Sequence, residues 1–447
     1  MSARLSSRAP YRCSMMSPSG QSRISLILPD SQLPVVLRET RQIIKTTTRF
    51  QATIYARKCR EIDFFMDAFW HVCFWFFGLL SIYSYLVYPA ILLLKPARLR
   101  PRSNNSINRQ PLVTIIVAVH NERLRIRDKL ENLLQLESYD GGVEILVVSD
   151  ASCDGTDELV AEFAEEGIKL IRNPNRDGKE AAQALAISQA RGEILIFSDV
   201  STMFDKSVIR DIVDYFRIPS IGAISSTDAF ISRNGQVAGE SAYVRYEMWL
   251  RKQESRVGSL IGLSGSFFSV RAEICRKSWA TNIPSDLMTA INCRRQGFDA
   301  VLAENVTGYY QDLADSRKEY ERKVRTIVRG MHALKETGEI LNIFRFGFFS
   351  FEVWSHKVLR WAVPWALLGL MTASVVLVGT HWVYDVAFSG QAVFYTLGLF
   401  GSSAALARRY RLLRIPYFFV MSNVAVAHAA FRFIRGNTSV TWTPSER

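Results

Sequence analysis

The chain has 447 residues, 48% hydrophobic and 22% charged, a composition that excludes a disordered or low-complexity protein. Its formal charge of +13 points towards an anionic partner, but the excess sits at the two ends. Residues 1–62 hold 11 basic and 3 acidic residues and 344–447 hold 10 and 3, whereas 95–343 hold 34 of each, which argues against nucleic-acid binding by the central block. Six Cys with no CxxC pair, and no His in finger spacing, exclude a disulfide scaffold and make no structural zinc site.

In chain order, 1–62 reads as a basic, poorly ordered tail. Residues 68–94 carry no formal charge and are long enough for a transmembrane helix. Lys95, Arg98, Arg100 and Arg102 follow it, and Arg408, Arg409, Arg411 and Arg414 lie further on, so the positive-inside rule places both clusters and the central block in the cytoplasm. The same topology puts the basic tail outside, against the rule, and suggests a native start near Met66. Residues 344–360, aromatic and basic, read as an interfacial helix. Residues 361–431 hold about three further spans, at 361–384, 386–407 and a shorter, possible re-entrant run at 415–431. A tail, 432–447, closes the chain.

Between these lies an α/β block, 103–340. Leu112 to Ala118 and Val143 to Val148 are apolar, β-branched runs that suit strands buried on both faces. Ile168 to Ile171 and Glu193 to Phe197 repeat the pattern, with helices between, as in a doubly wound parallel sheet. Ligands in such sheets sit beyond the carboxyl ends of the strands, where Asn121, Glu122, Asp150 and Asp199 fall. No GxGxxG and no Walker A motif is present, which disfavours dinucleotide binding and excludes a P-loop.

The ordered set IIVAVHNE, VVSDASCDGT, Gly178-Lys179, IFSDVS, GLSGSFFSVR and PSDLMTAINCRRQGF resembles the family-2 glycosyltransferases of the GT-A fold, over about Pro111 to Leu334. The flanking spans resemble the membrane-bound members that build polysaccharides or glycolipids. The resemblance implies a nucleotide-sugar donor held by Asn121, Glu122, Asp150, Asp154, Lys179 and Arg329. Asp150 would contact the base or ribose. Asp154 is equally well explained as a helix cap. Asp199 matches the first Asp of the DxD motif and would hold Mg2+ or Mn2+. The third position is Ser201, which leaves the rest of the metal shell open. Asp286 matches the general base, with a helix N-cap as the competing explanation. Gly262, Ser264, Gly265 and Ser266 resemble the loop lining the acceptor site. Arg329 is retained from the (Q/R)xxRW motif of processive synthases, but Thr326 and Gly330 replace its Gln and Trp. The Arg360-Trp361 pair reads as an interfacial anchor.

The expected protein is a multi-pass enzyme of the cytoplasmic (inner or plasma) membrane with its catalytic block in the cytoplasm. It would transfer a sugar, with inversion, from a nucleotide-diphosphate sugar (UDP-linked) to a lipid-linked or polysaccharide acceptor. Membrane lipids, and export or synthase subunits, are its further expected partners. The alternatives are a processive cellulose-, chitin- or hyaluronan-like synthase, and a catalytically idle membrane scaffold.

Overall fold

The computed structural model describes residues 12–16, 23–27, 33–101, 110–231, 242–311, 316–403 and 409–436. The chain divides into two units, 1–73 and 74–447.

In the first unit, β1 (Arg12–Met16) pairs antiparallel with β2 (Arg23–Ile27). Helix α1 (Leu33–Ile82) begins there and runs through residue 62, the expected end of the tail. No Gly or Pro interrupts it between Pro34 and Gly78, so no local breaker ends it.

In the second unit, a π-turn (Tyr83–Val87) and α2 (Tyr88–Leu94) continue the helix. A mixed sheet then forms from β3 (Val113–Val119), β4 (Val143–Asp150), β5 (Ile168–Asn173), β6 (Ile194–Ser198), β7 (Met203–Phe204), β8 (Ile221–Ile231), β9 (Phe267–Arg271) and β10 (Asp299–Gln311). Its order is β5-β4-β3-β6-β9-β8-β10-β7. The first four strands in that order are parallel, as the continuous apolar runs predict. Strand β9 runs antiparallel to both β6 and β8, which brings its start beside the carboxyl end of β6 and the middle of β8.

Two apolar layers cover the sheet. Odd-numbered residues of β3 (Val113, Ile115, Val117, Val119) pack under α3 (Arg123–Leu134) and α6 (Val208–Phe216). Ile116 and Ala118 face α5 (Lys179–Gln189), α8 (Ala272–Lys277) and α9 (Ser285–Arg295). At the amino ends of the strands, Thr114 Oγ1 donates to Glu144 Oε2 (2.8 Å) and accepts from the Gly192 N–H (2.9 Å). A Cβ on Gly192 would stand 2.6 Å from the Thr114 backbone nitrogen. Gly192→Ala is therefore expected to cost about 1–3 kcal/mol by overpacking two central strands. An unchanged thermal midpoint would contradict this.

Two helices link the sheet to the apolar segments. On α7 (Ala242–Val257), Arg256 donates to the carbonyls of Leu92 (2.5 Å) and Lys95 (3.0 Å). Glu254 accepts from the Tyr88 hydroxyl (2.7 Å). Arg98 and Arg100, expected to set topology, ion-pair with Asp299, as does Arg294. This explains how a fully buried carboxylate is tolerated. On α10 (Ser316–Glu336), Val324 and Val328 pack against Ala425 and Ala429 of the final helix.

Among the described residues three helices are long and apolar enough to cross a membrane: 64–94, 348–377 and 414–434. Two of them follow the α/β block, where about three were expected. The segment read as a separate interfacial helix begins with α11 (Ile343–Phe346), which stops at Gly347 (φ +56). From there α12 (Phe348–Val353), a π-turn and α13 (Leu359–Leu377) form one helix across residue 360. Helix α14 (Trp382–Gly401) is 20 residues long, but Asp385, Gln391 and three glycines lower its apolarity. The run read as possibly re-entrant is a continuous 21-residue helix, α15 (Arg414–Ile434), about 30 Å long.

Candidate active site

The sequence places its polar residues where the parallel strands end. Asn121 follows β3 in a left-handed conformation (φ +54), which Asn tolerates better than most residues. Its Oδ1 accepts from the Cys153 N–H (2.9 Å), and its own N–H donates to Ser152 Oγ (3.1 Å). The Glu122 N–H donates to Thr156 Oγ1 (2.9 Å), and its carboxylate pairs with Arg125 (2.6 Å). Burial raises the Glu122 carboxyl above its ordinary range, with Arg125 opposing and Asp199 and Asp154 adding to the rise.

Asp154 accepts from the N–H groups of Arg123 and Thr156 (both 3.1 Å) and from the Thr156 hydroxyl (2.5 Å). Burial opposes ionisation there, but these bonds outweigh it and hold the carboxyl below its ordinary range. Its two oxygens thus hold the first residues of α3 and α4 (Thr156–Ala161).

Asp150 ends β4 and is 3% exposed. Its carboxylate accepts from the backbone N–H groups of Asp177 and Gly178 (both 3.0 Å) and from Asn173 Nδ2 (3.2 Å). Gly178 has φ +99, a conformation that suits glycine and lets its N–H turn towards Asp150. Asp150 thus fixes the turn from which Lys179 emerges.

Lys179 Nζ donates to Asp199 Oδ1 (2.5 Å) and to the Gly265 carbonyl (2.9 Å). The Asp199 N–H donates to the Ser266 carbonyl (2.9 Å). A turn from Asp199 through Ser201 closes with the Thr202 N–H on the Asp199 carbonyl (3.2 Å). On the other side of the 262–266 loop, Asp286 lies in the first turn of α9, and its carbonyl accepts from the Leu263 N–H (3.3 Å). A Cβ on Gly265 would stand 3.8 Å from the Asp286 carboxylate. Ser264 Oγ donates to Asp228 (2.8 Å), and the Gly262 carbonyl accepts from Arg251 (3.3 Å). Arg329, on α10, pairs with Glu180 (2.5 Å), the residue after Lys179.

The fold therefore gathers Asp199, Ser201, Lys179, Asp286 and the 262–266 loop at one edge, with Asp150 and Arg329 behind Lys179. Asn121, Glu122 and Asp154 lace the neighbouring loops together. Among the described residues no three His, Cys, Asp or Glu side chains converge as a metal cage. Asp199 with Ser201 would suit a hard cation that keeps ligands from water and phosphate oxygens, as Mg2+ does.

Sequence reading missed three contributors. Lys129 is fully buried, donates to the Thr202 carbonyl and lies 3.6 Å from the Phe204 ring centroid, so it props the Asp199 turn from below. Burial pushes its ammonium well below the ordinary range, with the Asp199 charge opposing. Its spacing from Ile126 and Leu133 on the buried face of α3 was the available signal. Glu180 and Asp228 carried no such signal, because their partners come from distant segments.

Residues 114–279 match the family model described as glycosyl transferase family 2. Over 169 residues the chain is 27% identical to the beta-monoglucosyldiacylglycerol synthase of Nostoc sp., covering 36% of this chain and 36% of that protein. Over 160 residues it is 26% identical to the poly-beta-1,6-N-acetyl-D-glucosamine synthase of Staphylococcus epidermidis, covering 35% and 38%. The chain thus spans little more than a third of the length of these curated relatives. Among solved structures, the mannosyltransferase PcManGT from Pyrobaculum calidifontis, in complex with GDP-Man and Mn2+, aligns with a TM-score of 0.60 at 21% identity, covering 82% of this chain and 99% of that one. That likeness is one of fold. The central block thus matches the family-2 glycosyltransferase model over residues 114–279 and carries an α/β sheet of the same fold as that solved structure.

Proposed function

We propose that this glycosyltransferase uses a UDP-linked sugar and transfers it, with inversion, to a lipid-linked or glycan acceptor at the cytoplasmic face of a membrane. The observation that carries the reading is the meeting of two chemistries at one loop residue: Lys179, bound to Asp199, donates to the Gly265 carbonyl, and the Asp286 carboxylate lies beside the same glycine. Single displacement needs a group that holds the leaving diphosphate and a base on the opposite face.

Asp150 would contact the donor's base or ribose, with Asn121, Glu122 and Asp154 in the neighbouring loops. Lys179 and Arg329 would meet the diphosphate, Lys179 by turning from Asp199 and Arg329 from Glu180. Asp199 and Ser201 would hold Mg2+ or Mn2+. Such an ion, when bound, offsets negative charge on the leaving group. Asp286 would take the proton of the acceptor hydroxyl. The names of both relatives carry β-linked products, which supports inversion of an α-linked donor.

A processive synthase is the second reading, favoured by the poly-N-acetylglucosamine relative. Gly330 in place of the motif's Trp weighs against it. Solubilised full-length protein supplied with membrane lipid extract and a panel of nucleotide sugars is expected to release UDP from one UDP-sugar, and to stop with EDTA. No release from any UDP-sugar would overturn the donor assignment. A ladder of products on a gel, rather than one added sugar, would favour the second reading.

A further inference from the structure

A cavity of about 90 Å³ lies between α9, α10 and the long helix formed by α12 and α13. Leu287, Ile291, Ile327 and Trp361 make much of its wall, and Lys357 is its one charged lining residue. The cavity starts one residue from Asp286, through Leu287. Its far wall belongs to a helix long and apolar enough to cross a membrane. Leu287, next to Asp286 on α9, thus shares the cavity with a helix suited to hydrocarbon.

Two features shape it. The indole of Trp361 stands beside Gly330 of α10, where a Cβ would make ordinary contact at 3.4 Å from Trp361 Cζ2. The Arg360-Trp361 pair, read from sequence as an interfacial anchor, thus divides its roles. Arg360 pairs with Glu247 (2.6 Å), while Trp361 lines the cavity.

The second feature is Lys357. Among the described residues it makes no hydrogen bond or ion pair. Glu247, the carboxylate acting on it most strongly, is already engaged by Arg360 and by His356 (3.5 Å). Arg251 and Arg360 repel it, and Asp286 attracts it more weakly. An ammonium on an apolar wall is costly unless it meets a counter-charge, and a lysine supplies a compact point charge suited to phosphate.

We infer that this cavity receives an amphiphilic acceptor whose phosphate meets Lys357, whose first apolar groups pack against Trp361 and Ile327, and whose neighbouring hydroxyl reaches Asp286. This deepens the proposed function and rests on Asp286 facing the acceptor. In the step served, the acceptor oxygen bonds to the anomeric carbon, the bond from that carbon to the diphosphate oxygen breaks, and the hydroxyl proton passes to Asp286.

The test uses full-length protein in detergent micelles and three probes: dioleoyl phosphatidylinositol, dioleoylglycerol and soluble inositol 1-phosphate. Phosphatidylinositol is expected to bind at least tenfold tighter than either of the others. Lys357→Gln should remove most of that preference, and Lys357→Arg should keep part of it. Equal affinity of the wild type for the two lipids would overturn the inference without recourse to any variant. So would a preference that survives in Lys357→Gln. Soluble inositol phosphate binding as tightly as the lipid would reduce the site to a free-anion site and overturn its lipid part. A fall in UDP affinity in Lys357→Gln as large as the fall in lipid affinity would assign Lys357 to the donor instead. If the phosphate preference stands while no UDP-sugar is turned over, the donor reading fails and the lipid site does not.

Discussion

Asp286→Asn is expected to lower kcat for transfer by about 10²–10⁴-fold, the range lost with a general acid or base. Nucleotide affinity should stay within about twofold. Asn keeps the size of the side chain, and Asp286 touches no described donor-side group. The variant gives up a negative charge in the first turn of α9, worth about 0.3–1 kcal/mol, so the domain should still fold. Steady-state transfer, with UDP binding measured on the same preparation, separates the two effects. Transfer within tenfold of wild type would move the base elsewhere, and Asp228, beyond Ser264 on the same loop, would be the next carboxylate to test.

Asp199→Ala is expected to abolish metal-dependent donor binding, with an affinity loss on the order of 100-fold. The substitution removes a carboxylate oxygen from the candidate metal shell and strips Lys179 of its counter-ion. Lys179 would keep the Gly265 carbonyl, and Lys129 would still hold the turn at Thr202, so the damage should remain local. Calorimetric titration of UDP with Mn2+ and with EDTA measures this. A wild-type titration indifferent to EDTA would remove the metal from the proposal, and a variant still sensitive to it would remove Asp199.

Much of the architecture was legible because it is written in local periods. Ile115, Val117 and their neighbours form a run too short and too β-branched for a helix, and β3 is buried along its whole length. The uncharged run at 68–94 marked a helix by length alone. The boundary at 360 was misread because aromatic and basic residues mix there. The backbone ignores that change of composition and carries its hydrogen bonds across a π-turn into α13. Arg98 and Arg100 counted towards topology, yet Asp299 holds them, a partner about 200 residues away that charge counting does not reveal.

The same division holds in the candidate site. Residue type and position at strand ends picked out Asp150 and Asp199, since a parallel sheet exposes polar side chains where its strands stop, whereas Asp286 was singled out by the family resemblance alone. Their working partners were decided by chain crossings. Asp150 is bound by a turn 27 and 28 residues on, Lys179 by a loop 86 residues away, and Arg329 by a glutamate 149 residues earlier. By itself, then, the sequence determined the layered α/β sheet, the apolar helices and the edge at which chemistry would sit, because each follows from spacing along a few turns or strands. Only the tertiary structure decided which charges meet, that Lys129 is buried beneath the Asp199 turn, and that Lys357 faces an apolar cavity beside Asp286. Those are distances between segments remote in the chain, and no local pattern encodes them.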